Sequence, residues 1–470
     1  MQMTLHNSRT YCRYGFNILN CVIVIYFTIF VSGVLTGFCN DFSNNLQDFS
    51  SEIESSCAVE ETKSAVIKMS EQVLKAREGA VWGMLIADAL SMPVHWYYNP
   101  DDIRRGYGGW LTGYMAPNKK HPSSILTLSA VDGSGRTGWH NKSQPVVGSV
   151  ILHDKLKFWQ SGDRSTHYHQ GMRAGENTLN SVVALQMLKT LQRVDPKVEK
   201  DARDVRGSVL EDYVKFMTTP GSHNDTYAES FHRSFFKDWS EQDVKYTSAE
   251  DLLSFTDKRY KEKNKGNQDS QLVVIGAMSP ALPWILRNAR KPENQGVKET
   301  LEFVKCTHPV PAIIPFVDMY TRLLHAVMNG RDLKQEIMGV LSHSELGGPQ
   351  KREMVLSLLD RAASHAKGSE GRLKADQQAT QTLGSACYIE GAMSSMLYLA
   401  YQYADDFQAG VLANANCGGE NCHRGAALGA LLGANAVNKG QEIPAKLREG
   451  LVVKQAVESL LQDLRQPVDS

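Results

Sequence analysis

Apolar residues recur at helical spacing along most of this chain, and runs that alternate apolar with polar positions are nearly absent. The pattern predicts helices over Glu71–Leu90, Thr178–Val194, Leu210–Met217, Leu272–Asn288, Ala312–Met328, Met354–His365, Gly384–Ala404, Phe407–Ala415 and Gly425–Asn438. Polar connections separate them and no internal repeat is visible. Many helices of this length imply a single all-α domain, placed here at residues 70–460. Between Asp195 and Lys265 charge is dense and the periodicity is interrupted. Within that stretch Lys258–Lys265 reads as an exposed basic loop, a solvated face rather than a binding patch.

A segment of another kind precedes the helices. Arg9 and Arg13 stand before an apolar run from about Phe16 to Phe38, and Asp41, Glu52 and Glu54 follow it. Residues 1–39 therefore read as a signal peptide or an uncleaved anchor, with the body across the membrane. Residues 40–69 read as a flexible linker, rich in Ser, Asn and Glu as far as Ser64. A secreted or membrane-anchored protein with a lumenal or extracellular body is expected, organellar import being the alternative. The sequons at Asn141 and Asn224 are compatible with that placement.

Composition narrows the partners. Lys+Arg 51 balance Asp+Glu 51, so no global charge steers the chain toward nucleic acid. Four of the eight cysteines precede residue 60, and the body shows no disulfide framework. Cys417 and Cys422 could close a small ring, but the Gly-Gly turn between them argues against it.

Chemistry concentrates in four stretches. Near the C-terminus, Gly418-Gly419 is followed by Glu420, Asn421, Cys422 and His423, then by Gly425, Gly429 and Gly433 on one helix face. Small residues at that spacing let a second helix approach closely. The first predicted helix carries Gly79 and Gly83 in the same way, with Asp88 on an otherwise apolar surface. A buried acid there needs a partner. Pro93 closes that helix and projects His95, Trp96, Tyr97 and Tyr98. The third stretch, from His167 to Asn180, sets Glu176 and Asn177 at a helix entrance, where oxygen side chains ordinarily cap free N–H groups. The fourth holds His223, Asp225, Glu229 and His232, the last two one helical turn apart.

In this order the stretches resemble the ADP-ribosylglycohydrolase superfamily, which includes a jellyfish lens crystallin; the likeness spans roughly residues 70–455. It rests on Gly79–Pro93, Gly175–Thr178, Thr307-His308, Gly418–Gly433 and Ile443-Pro444. It implies an orthogonal helical bundle whose cleft holds two magnesium ions, with an acid helping water to cleave a glycosidic bond of an ADP-ribose-like substrate. The site departs from the family pattern. Gly175-Glu176-Asn177-Thr178 replaces Thr-Asp-Asp-Thr, Glu420-Asn421-Cys422-His423 replaces Asp-Thr-Asp-Thr, and His95 stands where some members carry an acid.

Two readings follow. In one, Glu176, Glu420, Cys422 and His423, with His95, hold zinc or another transition ion in place of magnesium. In the other the cleft works without metal: Glu176 and Glu420 serve as acid and base, or Cys422 beside His423 supplies a nucleophile. Glu176, Glu420 and His95 are the catalytic candidates, and Asp88, Asn177, Asn421, His223, Asp225 and Glu229 the substrate-binding ones. The expected activity is hydrolysis of a glycosidic bond in an ADP-ribosyl or nucleoside-like substrate. The competing class is a crystallin-like binding or structural protein.

Overall fold

The structure, a computed structural model, describes residues 71–132, 145–194, 202–243, 245–266 and 268–465. The readings of residues 1–70 and the sequon at Asn141 lie outside these residues. The chain divides into compact units Met1–Lys68 and Met69–Ser470, and everything below concerns the second. Helices connected by turns make up this unit, and the described residues contain no strand, only two isolated bridges. No described helix is long and apolar enough to cross a membrane.

The helices that build the site are α1 (71–91), α2 (Leu179–Arg193), α3 (Ser230–Ser240), α4 (Met278–Arg287), α5 (Ile314–Met328), α6 (Ile389–Gln402), α7 (Phe407–Cys417) and α8 (Asn421–Asn438). At the centre α1 and α8 run antiparallel with their backbones in contact. A Cβ on Gly83 would strike the carbonyl of Gly429, and one on Gly429 would strike that of Gly83; Gly79 and Gly433 repeat the reciprocity. In these two pairs glycine faces glycine, while Gly425 faces the side chain of Asn414 and the Ala87 carbonyl; a helix with this much lost propensity is stable only because it is enclosed. α8 is buried from Asn421 to Ala436. Around the pair lie α4, α5, α6 and α7, with the Tyr320 hydroxyl donating to Ala427 O at 2.8 Å to tie α5 to α8. Antiparallel packing brings the C-terminus of α1 and the N-terminus of α8 to the same end, which is where the chemistry gathers.

The sequence pattern places most of these helices and shifts some boundaries. The predicted helix at Leu272–Asn288 becomes the 3-10 turns Ser270–Leu272 and Ile275–Ala277 followed by α4, with extended backbone at Val274 separating the two turns and Pro280 and Pro283 accommodated within α4. Gly384–Ala404 begins only at Ile389, after Gly384 at φ 139. The charged stretch after Asp195 is helical: Ala202–Thr218, α3 and Ala249–Lys263. The basic segment Lys258–Lys265 is thus largely the last turns of a helix whose apolar face, at Leu252, Leu253 and Phe255, is buried while its lysines face out.

Candidate functional site

The Gly-Gly turn builds the floor. Gly418 and Gly419 adopt φ 64 and 63, and side chains there would meet the carbonyls of Tyr97 and Ser385. Trp96 N donates to Gly419 O at 2.8 Å, Gly419 N to Tyr97 O at 2.9 Å and Glu420 N to Ser385 O at 2.8 Å. These bonds stitch the segment after α1 to the entrance of α8. The buried Arg424 donates to Asn414 Oδ1 at 2.8 Å and Gly418 O at 2.9 Å, locking the turn from below. Trp96 is itself left-handed, at φ 64, a cost of about 1–3 kcal/mol for a non-glycine residue that the surrounding bonds must hold. Its Nε1 donates to Glu420 Oε2 at 2.6 Å, and its ring meets Tyr168 and Tyr227 edge-on at 4.4 and 4.9 Å.

Beneath Trp96 runs a buried chain of imidazoles and carboxylates. Asp225 Oδ1 lies 2.7 Å from His169 Nδ1, His169 Nε2 lies 2.7 Å from His95 Nδ1, and His95 Nε2 lies 3.0 Å from Glu420 Oε1. The chain continues to His423, whose Nδ1 is 2.9 Å from the same oxygen and whose Nε2 is 3.8 Å from Glu229 Oε2. Glu229 accepts from Asn180 Nδ2, and Asn180 Oδ1 faces His232 Nε2 at 3.1 Å. Glu229 and His232, one helical turn apart, thus converge on Asn180. His95, Glu420 and His423 are 0, 1 and 3% exposed.

Burial and proximity set the charges. Burial pushes His95 down to about 4, so its ring is neutral at ordinary pH. Burial opposes the charge of Glu420 too, but His423 and His95 beside it hold that carboxyl well below its usual range. His423 would lose its proton to burial alone, yet Glu229 and Glu420 raise it to about 10. Burial raises Glu229 above the usual carboxylate range, against the pull of His423. Asp225, despite burial, is lowered by His169 and the N–H groups of Leu179 and Tyr227.

The entrance of α2 is capped from a distance. Asp88 accepts from Thr178 N at 2.9 Å, Thr178 Oγ1 at 2.6 Å and Asn177 Nδ2 at 2.9 Å, and Asp225 Oδ2 accepts from Leu179 N at 2.7 Å. The caps expected of Glu176 and Asn177 are therefore supplied by two other segments. Asn177 keeps its Oδ1 buried without a partner, and Asn421 does the same at the mouth of α8. Glu176 turns outward, accepting from Arg173 N and guanidinium at 2.7–3.1 Å and from Asn224 Nδ2 at 3.1 Å. His223 stands beside the chain, accepting at Nδ1 from Asp225 N at 3.1 Å.

Among the described residues, two groups offer donor atoms mutually close enough for one ion: His95, Glu420 and His423, and His95, His169 and Cys422. Glu176 is in neither. Cys422 and His423 fall in different groups, because neighbouring residues at a helix start point apart. Burial raises the Cys422 thiol well above its ordinary range; its Sγ lies 4.0 Å from Asp88 O and packs with Met92 and Met172. Cys417 and Cys422 are both free. The magnesium pair implied by the resemblance does not fit this donor set. Magnesium requires oxygen ligands in near-octahedral array, whereas Asp88 is spent on α2, Glu176 on Arg173, and two of the three groups around Glu420 Oε1 are imidazoles. The sequence pattern points to Glu420, His95, His423, Asp225 and Glu229 and sets Trp96 beside His95 without a role of its own; it singles out neither His169 nor Asn180. The His167-Tyr168-His169 triplet was the available signal.

A family model described as ADP-ribosylglycohydrolase matches residues 69–469. A solved structure described as an ADP-ribosylglycohydrolase-related protein complex is similar at 14% identity and a TM-score of 0.43, covering 84% of this chain and 98% of that one. No curated protein matches the chain in sequence. With the family model spanning all the helices that build the site, this chain belongs to the ADP-ribosylglycohydrolase family.

Proposed function

We propose that this protein, a hydrolase at the level of its family, cleaves a glycosidic bond of an ADP-ribosyl or nucleoside-like substrate at the Glu420 cluster. The carrying observation is a pair of carboxyls pushed apart in proton affinity on either side of His423: Glu420 held ionised, Glu229 raised. Such a split assigns an acid and a base within one site. Glu229, the weaker acid of the two, stands to pass a proton to the departing group, while Glu420 presents negative charge to the positive charge that develops on a ribosyl carbon. His95 and Trp96 fix the two oxygens of Glu420. The buried Oδ1 atoms of Asn177 and Asn421 are free acceptors, suited to ribose hydroxyls. Trp96, partly exposed and braced edge-on by the buried Tyr168 and Tyr227, offers a surface for a planar base. Glu176, on the Arg173 side, belongs to substrate contact at the rim rather than to the reacting centre.

The full-length protein is incubated with ADP-ribosylated peptides and with ribonucleosides, and release of ribosyl reducing ends is followed. Turnover that falls about 100-fold or more in Glu420→Gln and in Glu229→Gln, with helicity unchanged, supports the assignment. Turnover unaffected by both substitutions refutes it. Binding of ADP-ribose without turnover in the parent would favour the crystallin-like binding protein, for which the near-complete burial of the cluster is the physical argument.

A further inference from the structure

Three contacts, at 2.7, 2.7 and 3.0 Å, run from Asp225 through His169 and His95 to Glu420 and hold the His95 ring with its Nε2 against Glu420 Oε1. His423 Nδ1 lies 2.9 Å from the same oxygen, yet it is buried and makes no hydrogen bond, the distance being short but the alignment wrong. Two ring nitrogens and a carboxylate oxygen thus converge on one buried point.

We infer that His95 Nε2, Glu420 Oε1 and His423 Nδ1 hold one borderline transition ion, of the zinc class, in place of the family's magnesium pair. Two imidazoles and a carboxylate are a zinc donor set and leave a fourth position for an exogenous ligand. Tetrahedral bonds of about 2.0–2.1 Å separate ligand atoms by about 3.3 Å, so the contacts at 3.0 and 2.9 Å open by only a few tenths of an ångström. A metal-binding histidine is oriented by a hydrogen-bonded partner on the far nitrogen. For His95 that partner is His169, itself held by Asp225; the far nitrogen of His423 has no hydrogen bond and faces the carboxyl of Glu229 at 3.8 Å, which Asn180 anchors. Trp96 occupies the other oxygen of Glu420, leaving Oε1 as the ligand. Cys422 is left out, since the nitrogens of its group, His95 Nδ1 and His169 Nε2, already bond each other.

This deepens the reading of the same site, but it is tested without substrate, so the two fail separately. The full-length protein, made without a histidine tag, is equilibrated with zinc, dialysed and assayed for metal; a cobalt-loaded sample is read by visible absorption. One ion per chain is expected, with the intense bands of four-coordinate cobalt and no thiolate charge-transfer band. Cys422→Ser should keep the ion. Glu420→Gln and His423→Gln should lose it, and Asp225→Asn should bind about 10–100-fold more weakly. A parent that retains no zinc, a thiolate band, or an ion retained by folded His423→Gln overturns the inference. Should the variants fail to fold, the cobalt spectrum of the parent still decides it.

Discussion

The contact between α1 and α8 allows a prediction worked from geometry. In Gly429→Ala the new Cβ would strike the Gly83 carbonyl, standing 2.6 Å from its carbon and 2.7 Å from the Cβ of Ala87. Ordinary contacts there are about 3.5–4.0 Å, so the two helices must part by about 1 Å. The obstacle is backbone, and no rotamer change relieves it. Overpacking of this kind costs about 3 kcal/mol, the upper part of its usual range. The better helix propensity of alanine returns about 1 kcal/mol, leaving a net loss of about 2 kcal/mol. The control is Gly339→Ala, at an exposed position in the helix Leu333–Leu341 with open space around the added methyl. There only propensity acts, and stability should rise by up to about 1 kcal/mol. Urea unfolding followed by circular dichroism compares the midpoints of both variants with the parent. Equal midpoints for Gly429→Ala and Gly339→Ala would show that the backbones do not touch as described, and the reasoning would fail.

Three further outcomes are expected. Asp88→Ala strips the partners of Thr178 N and Thr178 Oγ1, while Asn177 Nδ2 keeps Leu85 O; with about 1–3 kcal/mol per stranded buried group, a loss of at least about 2 kcal/mol should appear in thermal unfolding, and a change under 1 would contradict the cap. Acid should destabilise the fold through its buried neutral histidines. Burial holds His308 at about 3 and His121 at about 4, against 6.5 when free, so the unfolded chain binds more protons as pH drops. Stability from these groups is complete above pH 6.5 and declines toward pH 4 by up to about 1.4 kcal/mol per unit for each; urea midpoints for His308→Gln that fall as steeply as the parent's would exclude His308 from this effect. Gly276→Ala should impair the site with little change in the rest of the fold, because its Cβ would press on the carboxyl of Glu229, 2.4 Å or closer being untenable; wild-type turnover in that variant would place Glu229 outside the reaction.

Much of this architecture is legible in the chain. Gly79 and Gly83 on one side, Gly425, Gly429 and Gly433 on the other, announce two helices in backbone contact, since nothing else repays so many helical glycines. The turn at Gly418-Gly419 and the donors after it are legible for the same local reason. What the sequence hides is direction. Glu176 looks equivalent to Glu420, but a favourable pairing three residues away at Arg173 turns it outward, and that choice depends on packing, not on pattern. His169 escapes because its partners Asp225 and His95 arrive from other segments, and the local His167-Tyr168-His169 triplet does not say which imidazole they meet. Between Ala202 and Lys263 only Leu210–Met217 is read as helix; the first turns of Ala202–Thr218, α3 and Ala249–Lys263 escape because dense charge on their outer faces dilutes the apolar stripe.

The reach of the site's bonds bears on how the protein is made. His95 and Glu420 meet across 325 residues of chain. At a synthesis rate of about 5–20 residues per second, α1 emerges roughly 15–65 s before the segment that covers it. Throughout that interval a helix apolar on every side from Ala80 to Leu90, apart from Asp88, lacks the helix whose glycines match its own. Its glycines, weak helix formers alone, would leave it loosely formed while it waits. The reacting centre is therefore completed only once α8 has emerged to close over α1.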